Sequence, residues 1–414
     1  MPHDEVVRPP EADTRRARGP SGVWGRRLVV VALVLAALNL RPAVTSLGPV
    51  LEEARDSLAM SAVIAGLLTS LPALCFALIG STAPRLARRF GADGVVVLGL
   101  AAIVAGLSLR AAAGSTWLFL ALSALALAGI AFCNVLLPVV VKQRFPDRVG
   151  MMTGLYSMAL NIGAATAAAV TVPLAQAFGG DWRWGLGAWA AVAAVALPPW
   201  LALARGRTPA AAPEPGAAAP VPVPEIRLTR DPTAWALAVY FGLQATAAFV
   251  IIGWLPQIFR DAGLSAETAG LLFAVTSLLG VPLSFALAAV AGRLPNQSVI
   301  AVVVGLFGLA GYAGLWLAPA GAPWVWAVLL GVANCSFPLA LTMIGMRGRD
   351  SGTVVRLSAF VQSVGYLLSI PGPILVGTLY ESSDGWSAPL ALLAVLMVPQ
   401  LAAGLLAGRD RQIG

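Results

Sequence analysis

Twelve runs of about 20 apolar residues, separated by short connections that hold nearly all of the charge, decide which solvent this chain can fold in. The chain is 58% hydrophobic and only 11% charged, with a mean hydropathy of +0.83, whereas soluble domains carry roughly 25% charged residues. The runs cover approximately residues 28–50, 61–83, 93–112, 117–141, 150–178 and 184–204, then 233–258, 266–291, 297–317, 324–346, 352–380 and 387–407. Hydrocarbon cannot hydrogen-bond a free backbone, so each run predicts an α-helix and the chain an all-α membrane protein of twelve transmembrane helices.

Charge placement supports this division, because Lys and Arg gather in cytoplasmic loops. With the N-terminus inside, most of the 27 basic residues fall on the inner side, from Arg8, Arg26 and Arg27 through Arg85, Arg88, Arg89, Lys142, Arg144, Arg148 and Arg347 to Arg409 and Arg411. The outer loops are expected to hold only Arg55, Arg110, Arg183 and Arg260, beside Glu52, Glu53, Asp56, Asp181, Asp261, Glu267, Glu381 and Asp384. The excess of positive charge is therefore topological. It predicts contact with anionic membrane lipids and gives no reason to invoke nucleic acid. The expected location is the cell inner membrane, multi-pass, with both termini cytoplasmic. The first run is too long for a signal peptide and lacks a small-residue cleavage site, so it is read as helix one. Cys75, Cys133 and Cys335 all lie in apolar runs and are expected to be inert buried thiols.

Residues 1–26, rich in Pro and Arg, read as a disordered tail, and the Pro/Ala tract RGRTPAAAPEPGAAAPVPVPEIRLTR lies in a linker at 205–231. Between them stands a six-helix half at 27–204; a second follows at 232–408, with a short tail at 409–414. The halves repeat one another. GPVLEEARDSLAMSAVIAGLL (48–68) matches LPQIFRDAGLSAETAGLL (255–272), AGIAFCNVLLP (128–138) matches LGVANCSFP (330–338), and Gly163 and Gly365 occupy corresponding places. Duplicated halves put a binding site near the bilayer midplane, at the interface between them. Ser61 and Ser265 read as N-caps, and Pro42, Pro72, Pro138, Pro173, Pro282, Pro338 and Pro371 as sites of bends.

Arg41 is the costly residue. It lies roughly 13 residues, or ~20 Å, into the first run, where an arginine costs about 2.5–3.5 kcal/mol on insertion scales, and no Asp or Glu is expected inside the spans. Its planar fork of donors suits the anionic part of a substrate. The alternatives are that it bonds carbonyls freed by Pro42 or reaches the outer interface near Glu52. On a continuous helix Thr45 follows one turn later on the same face, with Asn39 beside it. Further candidates for substrate binding are Tyr156 and Asn161 in helix five, Gln244 in helix seven and Gln362 in helix eleven, where Arg356 is a candidate gate residue on the cytoplasmic side. Buried amides equally serve as ties between helices. The runs hold no protein-borne proton relay, no metal-ligand cluster and no nucleophile beside a base, and no phosphate-binding loop occurs. An enzyme, a cofactor and direct use of ATP are therefore not expected.

LNLRPAVTSLGPVL, AGLLTSLPALCF (65–76), APRLARRFG (83–91), CNVLLPVVVKQRFPDRVGMMTGLYSMALNIGAA (133–165) and LSAFVQSVGYLLSIPGP (357–373) resemble the cyanate and 2-nitroimidazole permease family of the major facilitator superfamily, with Asn39 to Pro42 matching its Asn-Leu-Arg-Pro signature. The resemblance implies two pseudo-symmetric six-helix halves and an alternating-access carrier for a small anion such as cyanate. Efflux of drug-like nitro-heterocycles and a non-transporting membrane sensor are the alternatives. One departure is that Pro84 and Arg88 stand where that superfamily's Gly and Asp are expected, which puts its acid-centred gate interaction in doubt. The partners expected are a small-molecule substrate and lipid, with the chain acting as a monomer.

Overall fold

A computed structural model describes residues 23–205, 228–291, 293–349 and 351–413. The expected tail at 1–22 and most of the linker, 206–227, lie outside the described residues. The first half consists of α1 (Val23–Leu38), α2 (Pro42–Thr45), α3 (Leu51–Ser57), α4 (Ala62–Leu78), α5 (Ala83–Phe90), α6 (Ala92–Ala111), α7 (Thr116–Arg144), α8 (Val149–Ala177) and α9 (Trp182–Arg205). In the second are α10 (Pro232–Asp261), α11 (Ala266–Ala291), α12 (Ser298–Leu317), α13 (Pro323–Ala333), α14 (Ser336–Arg347), α15 (Ser351–Ser369), α16 (Pro371–Ser383) and α17 (Ser387–Ala407). Eleven stretches are long and apolar enough to cross a membrane, and α4 with α5, bent by 57°, makes a twelfth. Successive spans run in opposite directions. The end at which the described chain starts and finishes is called basal here, and the opposite end distal.

Three further spans are broken. The first is interrupted at Asn39–Arg41 and again before the single 3-10 turn Gly48–Val50, the tenth between α13 and α14, and the eleventh between α15 and α16. Pro42 and Pro371 each stand at the first position of the following helix, where a missing N–H is tolerated and the ring stops continuation of the ladder behind it. Pro72, Pro138, Pro173 and Pro282 sit inside unbroken helices. Side chains close the helix ends: Ser61 Oγ accepts from Ile64 N, Ser265 Oγ from Thr268 N, and Asp231 from Thr233 N and Ala234 N.

Large apolar side chains such as Trp117, Val299, Leu317 and Val355 face outward around the bundle, a surface compatible with lipid and not with water. Inside each half, indoles and small residues make the packing. Trp200 Nε1 donates to Ala32 O at 2.8 Å and Trp189 Nε1 to Thr171 Oγ1 at 2.9 Å, fastening α9 to α1 and α8. The repeat shows in two glycines. A Cβ on Gly163 of α8 would collide with the Leu38 carbonyl of α1, and one on Gly365 of α15 with the Phe241 ring of α10, so corresponding helix pairs of the two halves approach backbone to backbone. Gly163→Val and Gly365→Val are each expected to lower stability by about 1–3 kcal/mol. Gly345→Ala, where a Cβ meets nothing within 4 Å, should leave the melting temperature of the purified protein unchanged.

The structure revises two charge assignments. Arg110, expected in an outer loop, lies in the last turn of α6 and is 1% exposed. Arg347, expected to mark the inner loop, is equally buried and closes the end of α17: Nε donates to Ala407 O at 3.2 Å and Nη2 to Gly408 O at 2.8 Å, with Gln297 Oε1 as a further acceptor. The expectation of no acid within the spans also fails at one position. Asp93, in the first turn of α6, is buried and ion-paired with Arg144 of α7. This is an acid-centred contact inside the first half, while Arg85, Arg88 and Arg89 stay on the outside of α5.

Candidate functional site

Arg41 occupies the gap between α1 and α2, with φ −117° and ψ −32°, immediately before Pro42. Around it the chain leaves the α-helical ladder. Asn39 N and Leu40 N bond three residues back, to Ala36 O and Ala37 O, and Val44 N and Thr45 N both converge on Arg41 O. The side chain remains partly accessible, although its backbone neighbours Leu40 and Pro42 are buried. Among the described residues no hydrogen bond or ion pair engages its guanidinium, and the titratable group that interacts with it is Tyr366, on α15 of the opposite half.

The backbone near the break and the acids at the distal end are held by other residues. The backbone at the break is held by Arg110, whose Nη1 donates to Ala43 O at 2.8 Å, by Asn39 Nδ2 to Leu35 O at 2.8 Å, and by Thr45 Oγ1 to Arg41 O at 3.1 Å. At the distal end, the acids that Arg41 could have reached are engaged by Arg260 of α10. Its Nη1 and Nη2 each meet Glu53 at 2.9 Å, Nη2 meets Glu52 at 2.8 Å, and Nη1 donates to Pro49 O at 3.1 Å. A guanidinium at a helix break, with no hydrogen-bond or ion-pair partner among the described residues, can offer its donors to a ligand.

Aromatic rings surround Tyr366. Its ring packs edge-on against Phe241 at 5.1 Å, against Phe76 of the first half at 5.7 Å and against Phe249 at 6.5 Å, and Phe241 in turn touches Phe337 at 5.4 Å. Phe76, Phe337 and Tyr366 are partly accessible. These rings gather around the residue with which Arg41 interacts across the halves, an arrangement suited to a planar solute with oxygen or nitrogen atoms at one end. Lone aromatic residues in an apolar run carry no mark of this role, so Phe76 and Phe337 escaped the sequence reading.

The other sequence candidates divide. Asn161 and Gln362 remain partly accessible: Asn161 Nδ2 donates to Ser157 O at 2.8 Å while its Oδ1 borders Gly280 of α11 across the halves, and Gln362 Nε2 donates to Ser358 Oγ at 2.7 Å. Tyr156 is partly accessible and packs on the first half's core, and Arg356 is half-buried near the basal start of α15. Asn39, Thr45 and Gln244 are buried and bonded within the protein. Asn39 is 1% exposed and points at α1 and, at 3.4 Å, Val192 O of α9. Thr45 turns back on its own helix. Gln244 lies in a buried amide chain, donating to Asn334 Oδ1 at 3.3 Å and accepting from Gln400 Nε2 at 3.1 Å. The amide bonds of Asn39 and Gln244 tie helices together, each worth under about 2 kcal/mol in membrane helices.

The distal end is closed. Besides the Arg260 cluster, Ser70 Oγ donates to Ile370 O at 2.8 Å and Ala62 N donates to Glu381, both across the halves. Gly66 of α4 lies against the Pro373 carbonyl and Gly377 of α16 against the Ala62 carbonyl, leaving no room for a side chain at either position. Tyr380 Oη and Trp386 Nε1 both bond Asp261 Oδ2, at 3.0 and 2.7 Å, beside Arg260.

Two six-helix halves with broken helices around a polar group at their interface define the class of two-half helical membrane transporters. The family model described as Major Facilitator Superfamily matches residues 29–370, and the chain belongs to that superfamily. The chain is 34% identical to the 2-nitroimidazole transporter of Escherichia coli (strain K12), over 94% of this chain and 97% of that one. It is 30% identical to the cyanate transport protein CynX of the same organism, over 89% of this chain and 94% of the relative. Among solved structures, a mutant of the nucleoside transporter NupG superposes with a TM-score of 0.74 at 10% identity, covering 91% of this chain and 99% of that one, which speaks for the fold alone. The chain is a transporter and not an enzyme.

Proposed function

We propose that this carrier moves a small planar anion, such as cyanate or a related organic or inorganic anion, by alternating access of a site at Arg41. The observation that carries the reading is a partly accessible guanidinium at the break in the first span, with no protein counter-ion among the described residues and an electrostatic interaction with Tyr366 of the other half. An anion bridging Arg41 and the Tyr366 face would bind both halves at once, so its release is coupled to their separation. Asn161 and Gln362 supply hydrogen bonds from the flanking helices, Tyr156 lies one helix face away, and Arg356 draws the anion toward the basal mouth. With the basal end cytoplasmic, as the arginine distribution supports, the closed distal end makes this an inward-facing or occluded state in the inner membrane. The substrate and lipid are the only partners the reading requires.

A second reading, transport of nitro-heterocycles, is favoured by one observation, the rings of Phe76, Phe241 and Phe337 gathered around Tyr366. A nitro group presents two oxygens to a guanidinium as a carboxylate does, without net charge. Purified protein in liposomes, offered cyanate, nitrate, small carboxylates, 2-nitroimidazole, and neutral sugars as a control, separates the readings. Flux of an anion above empty liposomes supports the first, and flux of the nitro-heterocycle alone supports the second. Movement of sugar without either class, or binding with no movement, would overturn both.

A further inference from the structure

Against the break in the first span, among first-half residues, lies a small cavity. Its walls include Ala43, Val44 and Leu47 of the first span, Pro72 of α4, and the side chains of Arg110 on α6 and Ser123 on α7. Its free space of about 10 Å³ is near the minimum that holds one water-sized particle. Arg110 and Ser123 are each 1% exposed.

Arg110 is incompletely satisfied. Nη1 is used by the Ala43 carbonyl, and the Phe119 ring lies 5.9 Å from the guanidinium carbon. Nε and Nη2 are buried with no partner, and so is Ser123 Oγ. The two open nitrogens belong to the same edge of the guanidinium, the edge that grips an anion with two parallel N–H donors. No acid is salt-bridged to Arg110 among the described residues, and a buried charge lacking compensation is strongly penalised. Apolar walls raise the strength of any charge that neutralises it.

We infer that this cavity is a site for a single halide-sized anion, held by Nε and Nη2 of Arg110 and by the hydroxyl of Ser123, separate from the site at Arg41. A monatomic anion is compact, accepts from all three open donors and cancels the buried charge. A water molecule meets the donors but leaves the charge in place. Bound there, the ion fixes Arg110, which holds the carbonyl two residues beyond Arg41, and so braces the break. Halide concentration becomes a determinant of how rigidly the first span presents Arg41.

The test uses the full chain, purified and compared in sodium bromide or chloride against sodium gluconate at equal ionic strength. Halide is expected to raise the melting temperature by roughly 2 °C or more in wild type, since a ligand of the folded state stabilises with its occupancy. The rise should persist in Arg41→Ala and vanish in Arg110→Met and in Ser123→Val, which fills the cavity and removes the hydroxyl. Crystals soaked in bromide should give an anomalous peak between Arg110 and Ser123. Four results would overturn the inference: no halide effect in wild type, an effect unchanged in Ser123→Val, an effect lost in Arg41→Ala, or a water peak alone in the bromide soak. Should Arg110→Met fail to fold, Ser123→Val carries the decision. Because Arg41→Ala is scored here for stability and elsewhere for flux, the halide site and the transport reading can fail independently.

Discussion

Replacing Arg41 by alanine is expected to reduce anion flux in proteoliposomes by about 30-fold or more, with the protein still folded. The magnitude follows from truncating one member of a desolvated charge pair, which costs roughly 2–5 kcal/mol, and each 1.4 kcal/mol is about tenfold. Folding is spared because Arg41 makes no hydrogen bond or ion pair through its side chain among the described residues, while Arg110, Asn39 and Thr45 hold the backbone around it. Arg41→Lys keeps the charge but loses the planar fork, so an intermediate rate is expected. Tyr366→Phe removes a hydroxyl and keeps the ring that packs on Phe76 and Phe241, so a few-fold loss is expected. Flux in Arg41→Ala equal to wild type, at matched protein content and melting temperature, would remove Arg41 from the site.

The second large effect concerns the distal closure. Arg260 stands on α10 and reaches Glu52, Glu53 and the Pro49 carbonyl in the first half. It is the centre of a charge cluster that exists only while the distal ends are together, so its energy weighs on one side of the equilibrium between states. Arg260→Ala is expected to shift that equilibrium toward distal opening by about 1–3 kcal/mol, or roughly 5–150-fold. The measurement is the labelling rate of Ser70→Cys, in a background with Cys75, Cys133 and Cys335 replaced by alanine, by a membrane-impermeant maleimide added on the distal side. Ser70 is 1% exposed beneath the closure and bonds Ile370 O, so labelling reports opening. A rate at least about fivefold faster in Arg260→Ala, reversed when Arg260→Glu is combined with Glu53→Arg, is the expected pattern. An unchanged rate would show that the glycine-packed contacts of Gly66 and Gly377 hold the closure without the charges.

How much of this was legible in the sequence depends on the scale of the question. Spans, repeat and bundle class follow from hydropathy and self-similarity, because the bilayer forces every apolar run into the same helix. The relation between Gly163 and Gly365 also survives, since close backbone approach admits no other residue. Orientation around a helix did not survive where the helix was broken. Placing Thr45 on the face of Arg41 assumed a continuous helical repeat, and the turns at Asn39–Arg41 reset that register. The facing of Asn39 and Gln244 was not legible for a related reason. A buried amide reads the same whether it faces a cavity or a neighbouring helix, and only the positions of Val192, Asn334 and Gln400 decide.

Arg110 and Arg347 show a different limit. Each ends an apolar run, where charge usually marks the water boundary, and nothing local distinguishes a snorkelling arginine from one folded back into the protein. The signal that could have found Arg110 is its company: a broken helix leaves carbonyls open, and some donor has to meet them. Arg347 serves the last carbonyls of α17 in the same way. Asp93 was hidden by the same boundary, one residue inside the start of α6.

The central claim is that an anion binds at Arg41, between the halves. Equilibrium binding of radiolabelled cyanate to purified wild-type protein and to Arg41→Ala tests it most directly, with competition by unlabelled anions and by 2-nitroimidazole. The account predicts saturable binding to wild type, displaced by other small planar anions and lost in Arg41→Ala at unchanged melting temperature. Equal binding to the two proteins would contradict it.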